Sequence, residues 1–409
     1  MAAMELIGFD RISAARELLA PVIRRTPLLA SRVLSERTGS EVRLKCENLQ
    51  RTGSFKPRGA YFRIANLTPA EREFGVVAAS AGNHAQGVAW AAASLGIAST
   101  VFMPLGAPLP KLVATRAYGA TIHQVGDTVD EALSAAQEFA DRTGATLIHP
   151  FDHPDIVAGQ ATVGSELLEQ FPDVGTVLVP TGGGGLLAGI AAALHPVAPQ
   201  VRVIGVQAAL AAAWPDSLRS GQPVALQRMS TMADGIAVGR PGEVPFAHVI
   251  AHQPAIVTVG EDALSAAVLL CLERAKLVVE PAGAAAVAAL LSLPAEQLRL
   301  QGPVCAVISG GNVDPILLTR IIGHGLSTGG RYLAVRITIS DRPGSLSRLL
   351  DAVAGTGANV LDVVHARTPA NLAIDEVEVL LTLETRGPAH RDDVLDALES
   401  AEYAVRVQD

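Results

Sequence analysis

Short β-branched runs alternate with alanine-rich helical runs through most of the chain, up to about residue 325. Gly75-Val76-Val77-Ala78 leads into a helical run from Ala85 to Leu95, which yields to a strand from Ser99 to Met103. The same succession returns at Val177-Leu178-Val179, Leu186 to Leu194 and Val201 to Val206. Strand–helix–strand alternation predicts parallel sheet covered on both faces. Ahead of it, Ile12 to Leu34 predicts a helix, a break at Thr26-Pro27 and a second amphipathic piece. After Gly329-Gly330 the pattern changes. Tyr332 to Ile339 alternates with period two, and Leu346 to Ala354 has helical spacing. Strands follow near Val360–His365 and Asp375–Leu383, then a helix near Arg391–Glu399 and a strand, Tyr403–Val407. The order β-α-β-β-α-β is a ferredoxin-like unit. It predicts a separate domain at 332–409, joined to residues 1–325 by a flexible linker at 326–331, centred on the glycine-rich run Gly325 to Gly330.

Two stretches without formal charge, Ala85–Pro110 and Val174–Val201, raise the question of a membrane. Gly, Pro, Ser and Thr cut each into a strand-sized and a helix-sized piece, whereas a spanning helix needs ~20 continuous apolar residues. They are expected to be buried α/β elements. With 409 residues, 49% apolar and 18% charged, the chain has material for a large interior and for two or three domains. The net charge of −8 argues against nucleic acid or an anionic membrane as the main partner, since both reward a basic stripe. Three scattered cysteines and no signal-like start point to a reducing cytoplasm.

Candidate chemistry sits in the turns. Lysine occurs at only four positions, 45, 56, 111 and 276, against 28 arginines, so each lysine invites the question of what arginine could not do there, such as forming an imine. Lys56 follows Thr52-Gly53-Ser54 and precedes Pro57, which places it at a helix mouth. An ordinary lysine near a helix end fits that spacing equally well. Ser80-Ala81-Gly82-Asn83-His84 lies between a strand and a helix, where free N–H groups suit a carboxylate or phosphate. Plain helix capping is the alternative there. Gly182-Gly183-Gly184-Gly185 lets the backbone wrap an anion. It lacks the Lys-Ser/Thr of a P-loop and does not open the first strand–helix unit, so a single phosphate fits better than a nucleotide. Ser309-Gly310-Gly311-Asn312 puts a hydroxyl at a strand end, a weak signal by itself.

Taken together and in order, SFKPRGA, SAGNHAQG, GGGG, EPAGA (Glu280 to Ala284) and SGGN resemble the threonine dehydratases. These are pyridoxal-phosphate (PLP) enzymes of fold type II, the tryptophan-synthase β-like group that also holds serine dehydratase and serine racemase. The resemblance runs from about Arg25 to Ile322. It implies two open parallel α/β subdomains, the smaller one, about 48–150, inserted in the larger. It also implies that Lys56 forms the imine with the cofactor and serves as base, and that Phe55 packs on the ring. Asn83 would bond the phenolic oxygen, Gly182 to Gly185 hold the phosphate, and Ser309 face the pyridine nitrogen. The turn Ser80, Ala81, Gly82, Asn83, His84 would close on the substrate carboxylate, and Glu280 would support the ring. The activity implied is deamination of threonine, and less well serine, with serine dehydratase or racemase as the alternative. DRPGSL and GANVLDVVHAR resemble an ACT regulatory domain, which implies an amino-acid effector, isoleucine favoured, at an interface between two copies, with Asp341 and Gly344 at the contact turn and Asn359 on the opposite side. Family members are commonly tetramers.

Three positions depart from the resemblance. Racemases of this group have a serine where Ala81 stands, and alanine cannot move a proton. Relatives that bind a divalent cation have carboxylates where Gln207 and Ala213 stand, so no tightly bound metal is expected. Gly239 stands where lysine is common.

Overall fold

A computed structural model describes residues 6–367 and 372–408. The chain divides into two compact units between Leu318 and Thr319. The first unit contains strands β1 (Leu28–Ala30), β2 (Val42–Cys46), β3 (Val76–Ala79), β4 (Ser99–Met103) and β5 (Thr121–Gln124). It continues with β6 (Thr146–Leu147), β7 (Thr176–Pro180), β8 (Arg202–Ala208), β9 (Ala255–Val259) and β10 (Val304–Ile308). Two sheets result. The larger has the order β1-β2-β10-β7-β8-β9, and the smaller, β5-β4-β3-β6, lies wholly within the expected insertion. Every pairing is parallel except β1 with β2.

The central parallel strands are buried on both faces, as helices packed above and below require, while the edge strand β5 is mostly exposed. Every residue of β3, β7 and β10 is buried. The larger sheet's core combines Val177, Val179, Leu187, Ile190 and Cys305, while Ile64, Ala78, Val88 and Ala158 centre a second cluster. Chain reversals follow the carboxyl ends of β2, β7 and β10, which are neighbours in the sheet, and of β3 in the smaller one. In open α/β sheets that edge is where ligands bind.

Two expectations need correction. The first helix ends at Leu19, with Ala20 still helical and donating to Arg16 O, because Pro21 has no N–H to continue the ladder. Beyond Pro27 the chain opens with strand β1 paired antiparallel to β2, and the amphipathic helix begins only at Arg32. The expected joint is also helical over most of its length, since helix Pro315–Thr328 runs through Leu326. Only the Gly329-Gly330 pair leaves the helix, Gly330 at a positive φ of 63°.

The second unit is β11 (Tyr332–Ser340), helix Ser345–Thr356, β12 (Asn359–Ala366), β13 (Glu376–Glu384), helix Pro388–Ser400 and β14 (Val405–Gln408). Its antiparallel sheet has the order β12-β13-β11-β14, the ferredoxin-like arrangement. The alternating residues Leu333, Val335, Ile337 and Ile339 meet Leu349, Val353, Val394 and Leu398 of its two helices in one core. Among the described residues no helix is long and apolar enough to cross a membrane.

Candidate functional site

The exit of β10 organises the site. Phe55 N–H donates to Ser309 O at 3.1 Å and Gly311 N–H to Gly53 O at 2.9 Å, while Ser54 bridges Gly310. Glu280 N–H donates to Gly310 O at 3.2 Å. These bonds draw three distant segments to one strand end. With the turn after β3 and the glycine loop after β7 they wall a cavity of about 650 Å³. Lys56, all of Ser80 to His84, Gly182 to Gly185, Glu280 and Ser309 line it, as does Phe55.

Lys56 opens helix Lys56–Ala65, with Phe55 at the cap and Pro57 in the first turn, where its missing N–H costs nothing. Its Nζ donates to Pro150 O at 2.9 Å and lies 5.1 Å from the Phe55 ring centroid. Burial lowers its pKa from 10.5 to about 8, with the Glu280 charge pulling the other way. An amine with that pKa is neutral for a useful fraction of the time near neutrality, as a nucleophile or base requires.

Asn83 begins helix Asn83–Ser94, and its side chain is held from both sides. Its Nδ2 donates to Glu280 Oε1 at 2.6 Å, and its Oδ1 accepts from Asn312 Nδ2 at 2.8 Å. Ser80 Oγ accepts from Gly82 N at 3.1 Å, which shapes the turn. Ala81 contributes no polar atom. The buried His84 ring shares its Nε2 with Ile148 O at 2.7 Å, and burial, then the Lys56 charge, lowers its pKa to about 3. His84 therefore holds the turn in a neutral form, its ring committed to the backbone.

Glu280 caps helix Pro281–Ser292 at the cavity floor. Burial lifts its pKa to about 7, and Asp234 pushes the same way, against Lys111, Asn83 and Lys56. Its Oε2 is buried and has no hydrogen-bond partner among the described residues. A Cβ on Gly310 would lie 2.1 Å from Glu280 Oε1, so glycine there is a condition of the arrangement.

Among the described residues, no carbonyl outside the regular elements takes the N–H of Gly182, Gly183 or Gly184. Side chains close the outside of this loop. A Cβ on Gly183 would lie 2.4 Å from the Phe151 ring, and one on Gly184 2.3 Å from Trp214. Trp214 Nε1 donates to Gly182 O at 2.8 Å, so the indole both walls and anchors the loop. A glycine loop whose amide N–H groups are left without backbone acceptors is chemically suited to an anion. Gly239 lines the same cavity, with Met229 next to the space a side chain would take.

Gln207 and Ala213 are buried, and the Gln207 amide is engaged locally. It accepts from Trp214 N at 3.0 Å and donates to Ala211 O at 3.3 Å. At these two positions the chain has a hydrogen-bonded corner that ties down the Trp214 backbone. No group of three or more His, Cys, Asp or Glu poised for a metal occurs among the described residues.

Several site contacts were invisible in the sequence because the partners lie far along the chain. Those of Asn312 and Lys111, residues already named, and of Pro150, Trp214 and Asp234 are examples. So is the buried ionic group behind Lys56. The Arg58 guanidinium donates to both Glu47 oxygens at 2.8 Å and to Glu166 at 3.0 Å, and Lys45 joins through Glu166 at 2.6 Å. Glu47 is held below the usual carboxylate range by Arg58 despite complete burial.

In the second unit, Asp341 pairs with Arg367 at 3.1 Å, which lowers its pKa, and Gly344 caps helix Ser345–Thr356 at a φ of 87°. Asn359 lies elsewhere. It pairs in register with Glu384, opposite Tyr332, whereas Ser340 pairs with Glu376 at the other end of the sheet. Within one chain, Asn359 thus does not reach the Asp341–Gly344 turn. Antiparallel return of β12 along β13 puts them at opposite ends.

The family described as pyridoxal-phosphate dependent enzyme matches residues 19–310. An L-threonine ammonia-lyase of Thermotoga maritima is 45% identical over 403 residues, covering 98% of this chain and 100% of the relative. The catabolic L-threonine dehydratase of Escherichia coli K12 is 42% identical over 317 residues, or 78% of this chain and 96% of the relative. Among solved structures, a T.th. threonine deaminase aligns with a TM-score of 0.71 at 41% identity, covering 75% of this chain and 99% of that one. Maize serine racemase aligns with a TM-score of 0.74 at 32% identity, covering 79% and 99%.

Proposed function

Since the chain belongs to the pyridoxal-phosphate dependent enzymes, among the threonine ammonia-lyases, we propose that it deaminates L-threonine to 2-oxobutanoate and ammonia. The observation that carries this reading is the convergence in one cavity of a buried lysine of lowered pKa, a glycine cradle and a neutral serine. That donor set fits PLP. Lys56 would hold its aldehyde carbon, Gly182 to Gly185 its phosphate, Asn83 its phenolic oxygen and Ser309 its ring nitrogen. When bound, the cofactor supplies an electron sink for the pair left by the α-proton.

The chain's own residues do the rest. The Lys56 amine would be the base that takes the substrate's α-proton. Ser309 brings no carboxylate to the ring nitrogen, a setting that favours loss of the β-hydroxyl over transamination. The Ser80–His84 turn receives the substrate carboxylate, and Glu280 fixes Asn83. Serine would react as the smaller substrate, giving pyruvate, because a methyl group in an apolar pocket is worth only ~1–3 kcal/mol. A racemase reading has the maize structure in its favour, but Ala81 offers no second proton carrier in the turn. By the same resemblance the protein would be a cytoplasmic oligomer, tetramer favoured, serving isoleucine biosynthesis or threonine catabolism, and its second unit an ACT-like domain that binds an amino acid, isoleucine favoured.

Lys56→Ala is expected to lose the absorption of lysine-linked cofactor and at least a thousandfold in turnover, with the circular-dichroism spectrum unchanged. Lys56→Arg should fail equally, since guanidinium forms no imine. Threonine-dependent 2-oxobutanoate release by either variant above that level would overturn the assignment. D-serine formed from L-serine faster than 2-oxobutanoate from threonine would favour the racemase.

A further inference from the structure

Lys111 lies in helix Leu109–Ala117, between β4 and β5 of the smaller sheet. Its Nζ pairs with Asp234 Oδ2. Asp234 opens a short turn, Asp234–Ile236, in the segment between β8 and β9 of the larger sheet. The ion pair therefore bridges the two halves of the cleft, and both residues line the cavity. The two ends differ in setting. The Lys111 side chain is 9% exposed and the Asp234 side chain 53% exposed, so the cation is the fixed inner member and the anion the outer, solvated one. The ammonium also stands over the Ser80–His84 turn. A Cβ on Gly82 would lie 3.6 Å from Lys111 Nζ, so nothing separates the charge from that backbone.

The electrostatics of the cavity single out this cation. Its histidines, His84 and His149, have pKa values lowered to about 3 and about 4, chiefly by burial, and are neutral at working pH. Lys56 is committed to the aldehyde carbon. Lys111 is then the ammonium left in the cavity for a substrate anion, and its field reaches far enough to oppose the rise in the Glu280 pKa. A free amino acid brings one carboxylate, and the turn that receives it is the one beneath Lys111.

We propose that Lys111 is the counter-ion of the substrate α-carboxylate, and that in the resting protein Asp234 occupies its place. Entry of the substrate exchanges one carboxylate for another on a fixed ammonium. The exchange releases the tie between the sheets as it forms the substrate contact. Asp234 is thus a built-in competitor that sets substrate affinity, and ligands without a carboxylate do not displace it. The inference rests on the threonine ammonia-lyase reading.

The test is steady-state kinetics of the holoenzyme with Lys111→Met and Asp234→Asn. Lys111→Met is expected to raise KM for threonine at least tenfold with kcat changed less than threefold, and Lys111→Arg to recover part of it. Asp234→Asn is expected to lower KM. Threoninol, which has an alcohol in place of the carboxylate, should inhibit wild type and Lys111→Met alike. A mere latch between the halves would raise KM in both variants, and that outcome overturns the proposal. So would a tenfold loss of threoninol binding in Lys111→Met. If wild type does not turn over threonine at all, the underlying reading has failed instead.

Discussion

Lys56 and Glu280 face one cavity with pKa values displaced toward each other, to about 8 and about 7. Burial drives both, because it disfavours whichever form is charged. The consequences for stability have opposite signs. Between 4.5 and about 7 the folded chain keeps a proton on Glu280 that the unfolded chain releases, so this group's contribution falls as pH rises. Between about 8 and 10.5 the unfolded chain holds a proton on Lys56 that the folded chain lacks, so that contribution grows with pH and is lost as pH falls through about 8. Glu280→Gln keeps an acceptor for Asn83 Nδ2 and removes the ionisable group. In cofactor-free protein it is expected to flatten the decline in the urea midpoint between pH 4.5 and 7; a decline as steep as that of wild type would show that Glu280 does not titrate there. Lys56 was legible as chemistry because lysine is rare here and sits beside a turn and a proline. Glu280 was legible only through the motif, since its partner Asn83 lies 197 positions away and its raised pKa depends on burial that no local pattern displays.

The elements that make the site are turns, and their glycines act through what stands behind them. Gly184 has a φ of 97°, a region costly for a side chain, and its missing Cβ leaves room for Trp214 Cζ2. Gly184→Ala would add backbone strain and push the indole off Gly182 O. Each such insult costs about 1–3 kcal/mol, so cofactor affinity should fall by ~10-fold or more. Titration of cofactor-free protein with PLP, read by absorbance, measures this; affinity within twofold of wild type would mean that the loop does not form the phosphate cradle. The succession of strands and turns was legible from apolar runs and glycine clusters. Strand β1 was not, because three residues, Leu-Leu-Ala, carry no periodicity and form a strand only by pairing with β2. Nor was the helix through 325–328. Glycine and serine suggested a joint there, but a helix already propagating from Pro315 tolerates an isolated Gly at about 1 kcal/mol.

At the scale of the whole molecule, two units with separate cores predict separable functions. The second unit has its own cluster, from Leu333 to Leu398, and its sheet closes on its own helices. The start of its sheet was legible because period-two alternation begins at Tyr332, whereas the division at Leu318–Thr319 falls inside a helix that no composition change marks. The pairing that places Asn359 away from Asp341 was not legible, since register depends on which strands meet. That separation bears on the effector proposal, because a site using both the Asp341–Gly344 turn and Asn359 needs a second copy of the unit. The Escherichia coli relative aligns with only 78% of this chain yet 96% of itself, so a dehydratase of this family is nearly complete without the remainder. Truncation after Gly329 keeps helix Pro315–Thr328 whole and should therefore retain threonine turnover within about threefold. A coupling of ~1–3 kcal/mol corresponds to a roughly 5- to 150-fold change in apparent affinity. Isoleucine is expected to raise the threonine concentration for half-saturation of the full-length enzyme within that range and to leave the truncated enzyme unaffected. No response at full length would remove the regulatory role of the second unit. A response that survives truncation would move the effector site into the first unit, where Asp341, Gly344 and Asn359 could have no part in it.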